Sequence, residues 1–211
     1  MPAVVGAAGA AALTDEPASL PKAYFDALFA ADPDPWGLKS RDYERDKYQD
    51  TLAALEGRRF RAGVEVGCAS GELSAILAPS CESYLGLDIA EEPLRQARAR
   101  NADQAGAAFA RLTLPDERPE GRFDLIVLSE VLYYFSRADV AKMAAWARSA
   151  LSDGGVVLLV HWLGETPDYP LTGDEAVEAF MTACGEGLTT DRRWRRALYR
   201  IDRLACPPPS G

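Results

Sequence analysis

Five short apolar runs mark the middle of the chain: AGVEVG (62–67), SYLGLD (83–88), AAFARL (107–112), FDLIVLS (123–129) and GVVLLVHW (155–162). They are rich in branched residues, and helix-like segments separate most of them. That order predicts an α/β domain in which a mostly parallel sheet is covered by helices on both faces.

Before the first run, PKAYFDALFAA (21–31) spaces Tyr24, Phe25, Leu28 and Phe29 at helical intervals. The two prolines of DPDPW (32–36) interrupt that helix, because a residue preceding proline is driven toward extended backbone. A second helix is expected to start at Ser40 as N-cap and to run through Tyr43, Tyr48, Leu52 and Leu55.

After the fourth run, Val140, Met143, Ala144, Ala147 and Leu151 form one stripe of a helix over 139–151, which SDGG (152–155) should terminate. Beyond His161 a helix over 172–184 is followed by LTTDRRWR and ALYRIDRLA, which alternate as a β-hairpin. Seven strands are thus expected, the last two antiparallel. Residues 1–20 are read as a disordered tail, 21–206 as one domain with capping helices over 21–57, and 207–211 as a flexible proline-rich end.

Composition narrows the function. The 211 residues carry a formal charge of -9, which disfavours polyphosphate or an anionic membrane surface as partner. Cys68, Cys81, Cys184 and Cys206 contain no CxxC pair, and His161 is the single histidine, so no metal site is expected and reduced cytoplasmic thiols fit best. No run approaches the roughly 20 apolar residues of a membrane-spanning helix.

In an open parallel sheet, small molecules bind beyond the carboxyl ends of the strands. The first such turn is VEVGCASGE (64–72), where Gly67 and Gly71 allow a tight bend and Cys68, Ala69 and Ser70 are small enough for a ligand to lie on the chain. Glu65, a carboxylate inside an apolar strand, needs loop amides or a cationic ligand group as partner. Asp88 ends the second strand, where it can accept hydrogen bonds from ribose hydroxyls. The turn reads GxxxG and lacks the GxGxxG spacing of a pyrophosphate loop, which disfavours a dinucleotide oxidoreductase. A non-catalytic binding module stays open as another class.

With these residues in place, the chain resembles class I methyltransferases that use S-adenosylmethionine, and more narrowly the nodulation protein S family of N-methyltransferases acting on chitooligosaccharides. DPW (34–36) followed by YERDKYQDTL (43–52), the 64–81 loop and helix, and FDLIVLSEVLYYF (123–135) carry the likeness. It implies a Rossmann-like seven-stranded fold and S-adenosylmethionine as cofactor. It also implies cofactor contacts at Trp36, Tyr43, Glu65, Gly67, Cys68, Ala69, Gly71, Asp88, Ile89 and Ser129. Where such enzymes often carry an Asp after the third strand, this chain has Ala110 and Arg111, so backbone near Arg111 and Leu112 is expected to hold the adenine.

The acceptor implied is a small molecule, an amine of a saccharide or another metabolite; O-methylation is the alternative. Glu130 and His161 follow the fourth and fifth strands, and either could accept a proton or fix an amino sugar. Tyr133, with Tyr134 and Phe135, could hold a cationic amine or pack on the sheet. The basic run DRRWRR (191–196) is read as facing solvent.

Overall fold

A computed structural model describes residues 16–206. Residues 1–15 of the tail expected over 1–20, and the end expected over 207–211, lie outside the described residues. Seven strands form one sheet in the order β3-β2-β1-β4-β5-β7-β6, with β1 (Phe60–Val66), β2 (Cys81–Asp88), β3 (Ala107–Arg111), β4 (Phe123–Ser129), β5 (Leu151–Trp162), β6 (Thr189–Arg195) and β7 (Tyr199–Ala205). The first five are parallel, and β7 runs antiparallel to both β5 and β6.

Period-two alternation in the central strands feeds both faces. In β4, Ile126 and Leu128 join one apolar cluster while Leu125 and Val127 join the other, and all four are fully buried. Burial on this scale contributes about 1.5–3 kcal/mol per large side chain. Helices α1 (Lys22–Ala31), α2 (Asp42–Ala53), α3 (Glu72–Leu77), α4 (Glu91–Arg100), α5 (Arg137–Ala150) and α6 (Gly173–Cys184) complete the layers.

Several boundaries differ from the sequence expectation. Helix α2 is entered from Arg41 with no side-chain cap, because the Gly37 turn takes up Ser40 and Arg41 through backbone bonds. Ser136 caps α5 by accepting the Asp139 N–H, so the helix starts at Arg137, two residues before the expected 139. SDGG does not end α5: the helix stops at Ala150, and these residues form an irregular entry to β5. Ser19 and Leu20 are not part of a loose tail, since the Ser19 hydroxyl donates to Asp139 at 2.5 Å and the Leu20 N–H donates to the Tyr134 carbonyl at 2.8 Å.

The hairpin departs from a simply solvated ladder. Arg200, Asp202 and Arg203 are buried in β7, which lies between two strands rather than at the edge. Asp202 accepts from Arg200 and Arg193, Arg203 donates to Asp191 and Glu56, and Arg195 reaches Asp174. The basic run itself faces solvent as expected, and its four arginines also pair there with Glu56, Asp202, Asp174 and Asp50.

Candidate active site

At the carboxyl ends of the parallel strands lies a cavity of about 670 Å³. Its floor is the turn after β1 and the ends of β2 and β4; its walls come from α1, α2, the residues after β3 and the short helical turn Leu132–Tyr134. Of the fifteen residues that the sequence nominates, twelve line it, and three do not: Gly71, Arg111 and His161.

The first turn is shaped by left-handed backbone. Gly67 has φ +77°, and a side chain there would meet Val131 and the Ser129 carbonyl at 3.2–3.3 Å. Ala69 has φ +45°, held by its N–H, which donates to the Asp88 carboxylate at 3.0 Å. The other Asp88 oxygen accepts the Ala90 N–H at 2.9 Å, and burial lifts the Asp88 pKa to about 6 against these amide bonds. Asp88 so positioned lines the cavity beside Ile89, and Leu112 joins them through its N–H to the Asp88 carbonyl at 3.1 Å.

Glu65 finds a different partner from those foreseen. Side-chain hydroxyls rather than loop amides hold it: Ser74 and Tyr84 donate to one carboxylate oxygen, the latter at 3.0 Å. At 1% exposure, burial pushes its pKa up to about 7 despite these donors. Gly71 does not reach the cavity; its Cβ position is filled by Ala97 and Asn101, so this glycine lets the turn pack on α4. Arg111 is exposed at the end of the edge strand β3 and is not among the lining residues.

The far end centres on Glu130, which has φ +52°. One carboxylate oxygen accepts the Lys47 ammonium at 2.5 Å; the other accepts the Tyr133 hydroxyl at 2.8 Å and the Trp162 N–H at 2.9 Å. Burial alone would raise its pKa, but Lys47, His161 and the Trp162 amide outweigh that and hold it below the usual glutamate range. His161 is fully buried and does not line the cavity. Its Nε2 accepts the Leu132 N–H at 3.2 Å, its Nδ1 has no protein partner, and burial lowers its pKa to about 4. A neutral imidazole outside the cavity lining supports the turn that carries Tyr133.

Trp36 packs edge-on against Phe29, with Tyr134 6.4 Å away, and Tyr133 stacks on Tyr169 at 5.5 Å. Ser129 and Cys68 complete the lining, the Cys68 thiol being pushed well up by burial and so kept unreactive. Sequence reasoning missed Lys47 and Glu44, both buried and both on the wall. Their signal was present: they share a helix face with Tyr43 and Tyr48 at three- and four-residue spacings.

Among the described residues, no group of three or more His, Cys, Asp or Glu is arranged to hold a metal, and no helix is long and apolar enough to cross a membrane.

The strand order, the antiparallel β7 and the glycine turn facing a nucleoside-sized cavity define the Rossmann-like fold of class I methyltransferases. A family described as methyltransferase domain matches residues 64–157. A solved structure from Pseudomonas syringae, assigned provisionally as a methyltransferase, is 36% identical, with a TM-score of 0.67 over 77% of this chain and 98% of that one. Nodulation protein S of Rhizobium tropici is 36% identical over 115 residues, 54% of this chain and 47% of that protein. The N-methyltransferase NodS from Bradyrhizobium japonicum, solved with S-adenosyl-L-homocysteine, shares the fold at a TM-score of 0.76 and 23% identity, over 89% of this chain and 98% of that one. The chain belongs to the methyltransferase family and, within it, is similar to nodulation protein S. The matched stretch spans about half the length of the curated nodulation proteins, 56% and 47%.

Proposed function

We propose that the protein is an S-adenosylmethionine-dependent methyltransferase that methylates an amine of a small molecule, an amino sugar or short chitooligosaccharide being the class suggested by its relatives. The observation that carries this reading is the charge of the cavity lining: seven carboxylates, Glu44, Glu65, Glu72, Asp88, Asp116, Glu130 and Asp139, against three basic residues, Lys22, Arg41 and Lys47. Such a lining suits a cationic methyl donor and a nitrogen that becomes cationic, and it opposes a pyrophosphate.

The residues present fit the cofactor. The glycine at 67 leaves backbone that a ligand can lie against, and a Cβ there would close against Val131. Asp88 suits ribose hydroxyls, Leu112 and Ile89 suit an adenine face, and Glu65, Gly67, Cys68 and Ala69 suit the methionine part. When bound, S-adenosylmethionine would supply a methyl group on a sulfonium sulfur.

An acceptor nitrogen must offer a free lone pair as the C–N bond forms and the C–S bond breaks, and the positive charge moves onto nitrogen. Fixed carboxylates near that nitrogen favour the change. Glu130 is held ionised with all its donors in place, so it is suited to balancing charge rather than to removing a proton. The acceptor must therefore arrive neutral, and Tyr133 with Tyr169 gives an aromatic wall for it.

Incubation with methyl-labelled S-adenosylmethionine and a panel of amino sugars, partly deacetylated chitooligosaccharides and phenols is expected to label the amines, with a rate that rises with pH up to the pKa of the amine. Labelling of the phenols alone would replace this reading by O-methylation. Stabilisation by a nicotinamide dinucleotide, without stabilisation by S-adenosylhomocysteine, would reject methyl transfer altogether.

A further inference from the structure

Lys47 is 1% exposed, yet it lines the cavity. Its ammonium lies 2.8 Å from Glu44 and 2.5 Å from Glu130, and 4.9 Å and 5.8 Å above the rings of Tyr43 and Tyr48. Burial alone would lower its pKa, but Glu130 and Glu44 outweigh that and keep it charged. It therefore cannot serve as a base. An isolated ammonium or carboxylate in this position would carry a large desolvation cost, so each member requires the others.

The pair is also the mechanical link between two parts of the site. Lys47 sits on α2, in the cap, whereas Glu130 follows β4 in the sheet. Glu130 has an uncommon left-handed backbone, and its second oxygen binds the Trp162 N–H at the end of β5 and the Tyr133 hydroxyl on the next turn. Removing the ammonium would leave one oxygen without a partner and two carboxylates facing each other.

Resting on the functional reading above, we propose that Lys47 is a positioning residue for methyl transfer: by joining Glu44 to Glu130 it fixes the Glu130 carboxylate, ionised and oriented, at the acceptor end of the cavity. The groups that face Glu130 are Lys47, Glu44 and Tyr43 from α2, Tyr133 and Tyr134 from the turn after β4 and His161 from β5, with Arg200 and Asp202 of β7 acting on the histidine. Among these, Lys47 is the cation in direct contact with the carboxylate. With Glu44 included, the cluster keeps one negative charge in excess when all three are ionised, so the balance still favours a nitrogen that gains positive charge.

The test titrates protein carrying a 13C label at the glutamate side-chain carboxyls, in the absence of substrate, with Glu130→Gln used to identify the Glu130 signal. In the unaltered chain this signal should titrate below an ordinary glutamate. Lys47→Met is expected to raise it by more than about one pH unit, and Lys47→Arg to restore it. The double variant Lys47→Met with Glu44→Gln removes the second buried charge and serves where the single variant does not fold. An unmoved Glu130 signal in whichever of the two Lys47→Met chains folds would overturn the proposal. In the transfer assay, kcat of Lys47→Met should fall and Lys47→Arg should recover it, with S-adenosylhomocysteine binding kept within about twofold. A chain that binds no S-adenosylhomocysteine would count against the functional reading alone, because the titration needs neither cofactor nor turnover.

Discussion

The carboxylate of Asp88 reaches back from the end of β2 to accept the backbone N–H of Ala69 at 3.0 Å, so one side chain both lines the cavity and fixes the turn across from it. In Asp88→Asn one acceptor oxygen becomes a donor facing an amide. That change is expected to cost about 1–3 kcal/mol of stability and to weaken S-adenosylhomocysteine binding at least about tenfold. Thermal unfolding and isothermal titration check the two effects separately, and unchanged affinity would remove Asp88 from the cofactor site.

Gly67→Ala tests the same turn from the backbone. The position has φ +77°, and a methyl group would press on Val131 and the Ser129 carbonyl. A loss of about 1–2 kcal/mol in chemical denaturation is expected, with cofactor affinity falling further than stability alone explains. Gly57, also at positive φ but in open space, is the control: Gly57→Ala should keep full affinity.

Two buried groups give opposite pH signatures. Folding raises the Glu65 pKa from 4.5 to about 7, so its contribution to stability is whole below pH 4.5 and fades as pH rises through 7, by about 3 kcal/mol. Folding lowers the His161 pKa from 6.5 to about 4, so its contribution is whole above pH 6.5 and is lost by a similar amount as pH falls through 4. Melting curves from pH 4 to 8 should show Glu65→Gln gaining on the unaltered chain as pH rises, and His161→Gln gaining as pH falls. A parallel offset for either variant would contradict the protonation states assigned.

The hairpin separates buried from exposed charge. Asp202 is fully buried and receives Arg200 at 2.7 Å and Arg193 at 2.5 Å, so Asp202→Ala should cost about 3–5 kcal/mol. Arg195, half exposed in its pair with Asp174, should cost under about 1 kcal/mol when replaced by Ala. Urea unfolding of both variants measures the contrast.

The sheet was legible because its inner strands are apolar on both faces and its turns carry their own glycines; β4 matches FDLIVLS residue for residue. The glycine turn and Asp88 were legible for a related reason, that a strand end followed by small residues restricts what can sit there. Lys47 and Glu44 were not, because in a linear reading YERDKYQD is a polar helix, and burial of its charges depends on Glu130, which is 83 residues distant from Lys47. His161 misled for the opposite reason: its place at a strand end suggested chemistry, while the Leu132 turn covers it. Arg200 and Asp202 follow the same logic: they pair with each other within β7, and their remaining partners come from β6 and α6.

Ser19 and Leu20 line the cavity while bonded to Asp139 and Tyr134, more than a hundred residues further along the chain. Whatever fills the cavity therefore also clamps the segment that leads into α1. Occupancy becomes readable as resistance to digestion: cleavage by trypsin after Lys22, which has an exposed side chain and lines the same cavity, is expected to slow when S-adenosylhomocysteine is bound.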